Sequence, residues 1–288
     1  MEPLSLVILL AMGTLAGAIN AAVGSGSLLT LPVLLALGIP PGTAVRTNTL
    51  GILFSTFGSV VGYRREIAAE WKQLGPLTLV VAICATAGAG LLLISPSSAL
   101  DVLVPVLIVV ALTMVVFQKP FTRAIRARQE RRQPHSAETS APSETSETSE
   151  TSEYPVSSAV PTGGGSSYRS PGLIGAMGAA SLYGGYFTAA QGILYLGVLG
   201  IGTGRSMGDV NAVKNLASCV VNLAASLVYL LAFFLWGAEV VWIATLAIAV
   251  GALVGGYFGV HLAKRMPEWL LRGIIVAVAV FALVRQVL

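Results

Sequence analysis

Ala44-Val45-Arg46-Thr47 and Ala212-Val213-Lys214-Asn215 are two short turns of similar sequence, and each sets one cation at the head of a long apolar span. Working outward, each turn follows an unusually short apolar segment, Leu28 to Leu37 in one case and Ile193 to Ile201 in the other. Ten residues of helix rise about 15 Å, half of a ~30 Å hydrocarbon core, so neither segment is expected to cross as a full helix. Before each short segment lies a Gly-rich one, and after each turn come three ordinary spans. Four residues of likeness carry little weight alone, but their matching place points to an internal repeat.

The apolar blocks between breakers run near Leu4 to Val23, Leu28 to Leu37, Ala44 to Tyr63, Leu74 to Leu93 and Ala99 to Phe117. A second set runs near Leu173 to Ala190, Ile193 to Ile201, Ala212 to Leu235, Val240 to Leu262 and Trp269 to Val284. The stretch from 118 to 170 contains Ser-Glu-Thr triplets around Ser143 to Glu153 and the run Gly163-Gly164-Gly165. Such composition cannot bury a core and predicts a disordered linker. The expected domains are therefore a first transmembrane repeat over 1–117, a cytoplasmic linker over 118–170 and a second repeat over 171–288.

Composition agrees. The chain is 55% hydrophobic and 10% charged, whereas soluble domains carry roughly 25% charge. Its basic residues lie between apolar blocks, which marks orientation charge and excludes a nucleic-acid face. Cys84 and Cys219 sit inside apolar blocks without a neighbouring His or Cys and read as small buried residues. Residues 1–22 end like a signal peptide but lack its basic start, so they are expected to remain as the first structural segment.

Lys and Arg in the short loops set the orientation. Arg64, Arg65 and Lys72 put the loop after the third block inside, and the loop from Ile94 to Asp101, without basic residues, outside. The basic run from Lys119 to Arg132 and the pair Lys264-Arg265 also face inside. The block from Ala44 then ends inside and its counterpart from Ala212 ends outside, which gives inverted topology with both termini outside. Arg285 alone lies on the wrong side. The fold class expected is an all-α integral membrane protein with two inverted repeats, each a broken or re-entrant helix pair plus three transmembrane helices.

Inverted repeats with interrupted helices place transport sites near the midplane, where the broken elements meet. The interruptions here are Gly24-Ser25-Gly26-Ser27 and Gly184-Gly185, with Gln191-Gly192 before the second short segment. Gly24, Gly26 and Gly192 let backbone approach a ligand, and exposed helix N-termini favour an anion; close helix packing is the plainer explanation. Arg46 and Lys214 open spans in equivalent positions, and a cation at membrane depth costs roughly 2.5–3.5 kcal/mol. Related by a pseudo-two-fold axis, they would form one central positive site, with Thr47, Asn48, Gln191, Asn211 and Asn215 as neutral partners. The plainer alternative is that both snorkel to headgroups.

Enzyme chemistry finds little support. Gly24-Ser25-Gly26 with His261 lacks a nucleophile motif, Gly208-Asp209 lacks a second membrane aspartate, and Gly24/Gly26 lacks the third Gly of a dinucleotide fingerprint. No catalytic residue, cofactor or metal-ligand cluster is expected. Asp209 stands as a candidate proton-coupling group or a solvated turn acid.

The pattern resembles the sulfite exporter TauE/SafE family. The matching residues are Asn20-Ala21-Ala22-Val23-Gly24-Ser25-Gly26-Ser27, Leu31-Pro32-Val33-Leu34, Leu37-Gly38-Ile39-Pro40 and Ala44-Val45-Arg46-Thr47-Asn48. In the second half they are Tyr183-Gly184-Gly185-Tyr186-Phe187, Ala190-Gln191-Gly192 and Asn211-Ala212-Val213-Lys214-Asn215. The resemblance implies export of sulfite, sulfonates or related organic anions driven by the proton gradient. Gly-Ser-Gly-Ser in place of a Gly run, and the long linker, depart from the family and leave the substrate open. The partners expected are a small anion and membrane lipid, with oligomeric state unassigned. A passive anion channel and a membrane scaffold or enzyme partner are the alternative functions.

Overall fold

A computed structural model describes residues 3–22, 24–130, 168–205, 208–265 and 273, and every regular element within them is helical. The first group is α1 (Pro3–Ala22), α2 (Ser27–Ala36), α3 (Pro41–Gly62), α4 (Arg64–Ile94) and α5 (Ser97–Glu130). The second is α6 (Pro171–Tyr186), α7 (Gln191–Thr203), α8 (Asn211–Trp236) and α9 (Trp242–Arg265). The apolar block from Trp269 to Val284 and most of the expected linker lie outside the described residues. Two helices outrun their apolar blocks: α4 begins at Arg64, within the basic loop, and α5 continues past Phe117 to Glu130.

Helices α1, α4, α5 and α8 are long and apolar enough to cross a membrane, whereas α2 and α7 are short apolar helices. Large side chains such as Leu79, Ile83, Leu227, Leu231 and Leu246 point outward. The short helices do the reverse. In α2, Ser27 through Pro32 are all buried, together with Leu34 and Leu35. The centre of the bundle is thus built from the two interrupted regions, and long helices screen it.

Small residues permit this packing, because lipid offers no hydrophobic drive between helices and close backbone contact must supply the attraction. Helices α1 and α9 meet along Gly13 and Gly17 on one side and Gly251 and Gly255 on the other. A Cβ built on Gly17 or Gly255 would strike the backbone of the facing helix. Helix α3 lies against α8 and α9.

Where the second group of helices begins, Arg205 after α7 donates to Glu70 of α4 and, at 2.8 Å, to the Tyr168 hydroxyl. Burial, with the neighbouring Glu70 carboxylate adding to it, holds that phenol well above its ordinary range. This clamp ties the start of α4 to the loop after α7.

Candidate functional site

The two interruptions touch. The Gly192 N–H donates to the Gly24 carbonyl at 3.1 Å. Gly24 has φ +82°, and a Cβ there would sit 2.6 Å from the Gly192 Cα. A side chain is excluded by backbone conformation and by space together. The other interruption carries Ala190 at φ 61°, a left-handed conformation that a non-Gly residue seldom adopts, directly before Gln191. Gly26 has a packing task, since its Cβ would strike the Ala16 carbonyl of α1. We expect Gly192→Val to prevent the two interruptions from meeting, seen as loss of the monodisperse detergent-solubilised species. An unchanged elution profile and thermal midpoint would refute that role.

Lys214 lies beside this contact. It is fully buried, its Nζ donates to the Asn20 carbonyl at 3.4 Å, and its stem passes the Gly24 position. The Asn20 amide donates to Ser55 Oγ of α3 at 3.3 Å. Among the described residues, the buried polar groups are Asn, Gln, Ser and Thr side chains with Lys214 as their one cation, and no carboxylate joins them. Around this cation several buried atoms have no hydrogen-bond partner among the described residues: Ser25 Oγ, Gln191 Oε1, Asn215 Nδ2, Ser218 Oγ and Asn222 Nδ2. Gln191 Nε2 donates to Asn222 Oδ1 at 3.4 Å, which joins the α7 N-terminus to α8.

The other expected residues divide. Asn48 sits centrally: it accepts from Thr30 of α2, and its amide donates to Thr188 Oγ1 at 3.5 Å, linking the first short helix to the segment before α7. Thr47 has a structural task at the far end of α3, accepting from the Val241 N–H at 3.1 Å while its own carbonyl accepts from Thr245. Arg46 is at that end too, donating through Nε to the Glu239 carbonyl at 3.0 Å and through Nη2 to Thr43 at 3.1 Å. Asn211 is at the opposite end, donating to the Tyr63 hydroxyl at 2.8 Å. Helices α3 and α8 therefore run antiparallel. Ser55, the α3 residue tied to Asn20 beside Lys214, is nine positions from Arg46, about 13 Å along the axis. The two cations hold separate partners at separate depths.

Asn20 and Ser25, quoted above only as part of longer motifs, and Thr30, Ser218 and Asn222 were not among the binding residues that the sequence pointed to. For Ser218 and Asn222 the signal was helical spacing, since Asn211, Asn215, Ser218, Asn222 and Ser226 recur at i, i+4, i+7, i+11 and i+15 in an otherwise apolar helix. An open groove of about 670 Å³ between α5, α6 and α7 is a different feature. Met114, Phe117, Leu173, Ile193, Val198 and Ile201 line it, which suits a lipid chain better than a charged solute.

Comparisons with known proteins bear on the family of this chain. The family model described as sulfite exporter TauE/SafE matches residues 9–285. A probable membrane transporter protein, YfcA of Escherichia coli (strain K12), is 23% identical over 280 residues, covering 96% of this chain and 88% of that protein. A second probable membrane transporter protein, ORF9 of a Sinorhizobium species, is 34% identical over 95 residues. That match covers 33% of this chain and only 36% of the relative's length. No solved structure matches the chain. With the family model spanning nearly its whole length, the chain belongs to the sulfite exporter TauE/SafE family of multi-pass membrane transporters.

Proposed function

We propose that the protein is a secondary transporter that exports a small oxyanion, sulfite or a sulfonate or related organic anion, with proton coupling. The carrying observation is Lys214. A buried ammonium is costly unless paired, and the buried polar groups described around it are neutral. An anion supplies the missing charge, and the donors of Ser25, Asn215, Ser218 and Asn222 suit its oxygens. Gly24 and Gly192 bring the backbone close, and Gln191 and Asn48 tie the surrounding elements together. Flux of sulfite, a small sulfonate and a small carboxylate in proteoliposomes, with and without a pH gradient, tests this reading. Uptake or release of at least one, accelerated by the gradient, is expected. Voltage-driven current indifferent to pH would replace the transporter with a channel, and absence of flux for all three would end the anion reading.

We propose further that the helices form two inverted repeats, over 1–117 and 171–288, joined by a cytoplasmic linker, with both termini outside. The basic loops support this. A cysteine at Ser97 should be labelled from outside by a membrane-impermeant reagent, and one at Glu66 should not. The reverse pattern would overturn the orientation.

A further inference from the structure

Several buried hydroxyls in the other helices satisfy themselves. Thr49, Ser59, Ser181 and Thr203 each donate to the carbonyl four residues earlier, at 2.6–3.0 Å. That is the usual refuge of a hydroxyl in an apolar helix. Helix α8 departs from it. Ser218 Oγ and Ser226 Oγ are buried without a partner among the described residues, and so are the Asn215 and Asn222 amide nitrogens. A buried polar group left unpaired is costly, so four in line call for an occupant. Residues 215, 218, 222 and 226 fall within about 80° on one face of a helix that advances 100° per residue. The opposite face presents Leu223, Leu227 and Leu231 outward.

This stripe runs from one cation toward the other. It begins beside Lys214 and passes Ser226 in the direction of the C-terminal end of α8, beyond which Arg46 holds the Glu239 carbonyl. From Asn215 to Ser226 the helix rises about 16 Å, more than half of the ~30 Å core. We propose that the α8 stripe of Asn215, Ser218, Asn222 and Ser226 is the translocation path, handing an oxyanion from Lys214 toward Arg46 through successive hydrogen-bond donors. The inference rests on the anion-transport reading and deepens it. Uncharged donors suit a path, because each holds an oxygen weakly enough to release it to the next.

The test needs no identified substrate. In the full chain carrying Cys84→Ala and Cys219→Ala, single changes Ser218→Cys, Asn222→Cys and Ser226→Cys are made, with Leu223→Cys and Leu227→Cys as outward-facing controls. The probe is 2-sulfonatoethyl methanethiosulfonate, a small anionic thiol reagent, applied to vesicle-embedded protein. Stripe positions should react at least tenfold faster than the controls. Stripe positions as slow as the controls overturn the path, and since Ser→Cys is nearly isosteric, misfolding would not produce that pattern. Adding Lys214→Gln should cut the rate at Ser218→Cys at least tenfold for the anionic reagent relative to its 2-aminoethyl counterpart. Unaltered charge selectivity with fast labelling would overturn the Lys214 reading while the path stands.

Discussion

Lys214→Met is expected to abolish anion binding and flux while leaving the folded protein as stable as the parent, or more so. Lys214 is fully buried with one long contact to a carbonyl, 3.4 Å from Asn20. If that contact held the fold together, its loss would lower stability. A buried charge replaced by an apolar side chain of similar volume is instead often neutral or stabilising, because the desolvation penalty disappears with the charge. Removing one partner of a buried charge pair costs about 2–5 kcal/mol of binding, roughly 30- to 4,000-fold in affinity. The checks are the thermal midpoint of purified protein and sulfite binding by calorimetry. A fall in midpoint with binding retained would make Lys214 structural and withdraw it from the site. Lys214→Arg should rescue poorly, since a forked guanidinium must enter a slot closed by Gly24 and Gly192.

The helices were largely legible from hydropathy, and the discrepancies have physical causes. Helix α4 starts at Arg64 because Arg65-Glu66-Ile67-Ala68-Ala69-Glu70 are good helix formers, and Ile67 and Leu74 are buried. Hydropathy marks where a helix leaves lipid, not where its hydrogen bonds end. The same holds for α5 beyond Phe117. The shared character of the two short segments was legible too, because Gly runs and abrupt shortness are local features. The depth of a cation was not. Arg46 and Lys214 open their helices alike in sequence, yet Arg46 reaches the exposed loop at Glu239 and Lys214 turns to the centre. What separates them is the antiparallel docking of α3 on α8, a long-range fact carried by Asn211–Tyr63 at one end and Arg46–Glu239 at the other. The α8 stripe lay open in the spacing, but a stripe of Asn and Ser gains meaning only once its groups are seen to lack partners among the described residues.

Arg46→Gln is expected to cut flux by roughly tenfold or more while changing the affinity for sulfite less than twofold. Arg46 holds the Glu239 carbonyl and Thr43 at the head of α3, away from the Gly24–Gly192 contact. A cation at the end of a path acts on entry and exit rates, and its influence should weaken as salt rises through the range where the screening length falls below about 10 Å. In equilibrium binding, Arg46→Gln and Lys214→Gln should combine additively within about 0.5 kcal/mol, as expected for sites more than 7–10 Å apart without shared partners. In flux they should not combine, because a chain blocked at Lys214 has nothing to pass on to Arg46. A binding coupling above about 1 kcal/mol would put both cations on one anion. That would require α3 and α8 to slide past one another in the bound state, bringing the heads of the two antiparallel helices together. Near-parent flux from Arg46→Gln at low salt would leave the arginine a headgroup anchor and end the path at Ser226.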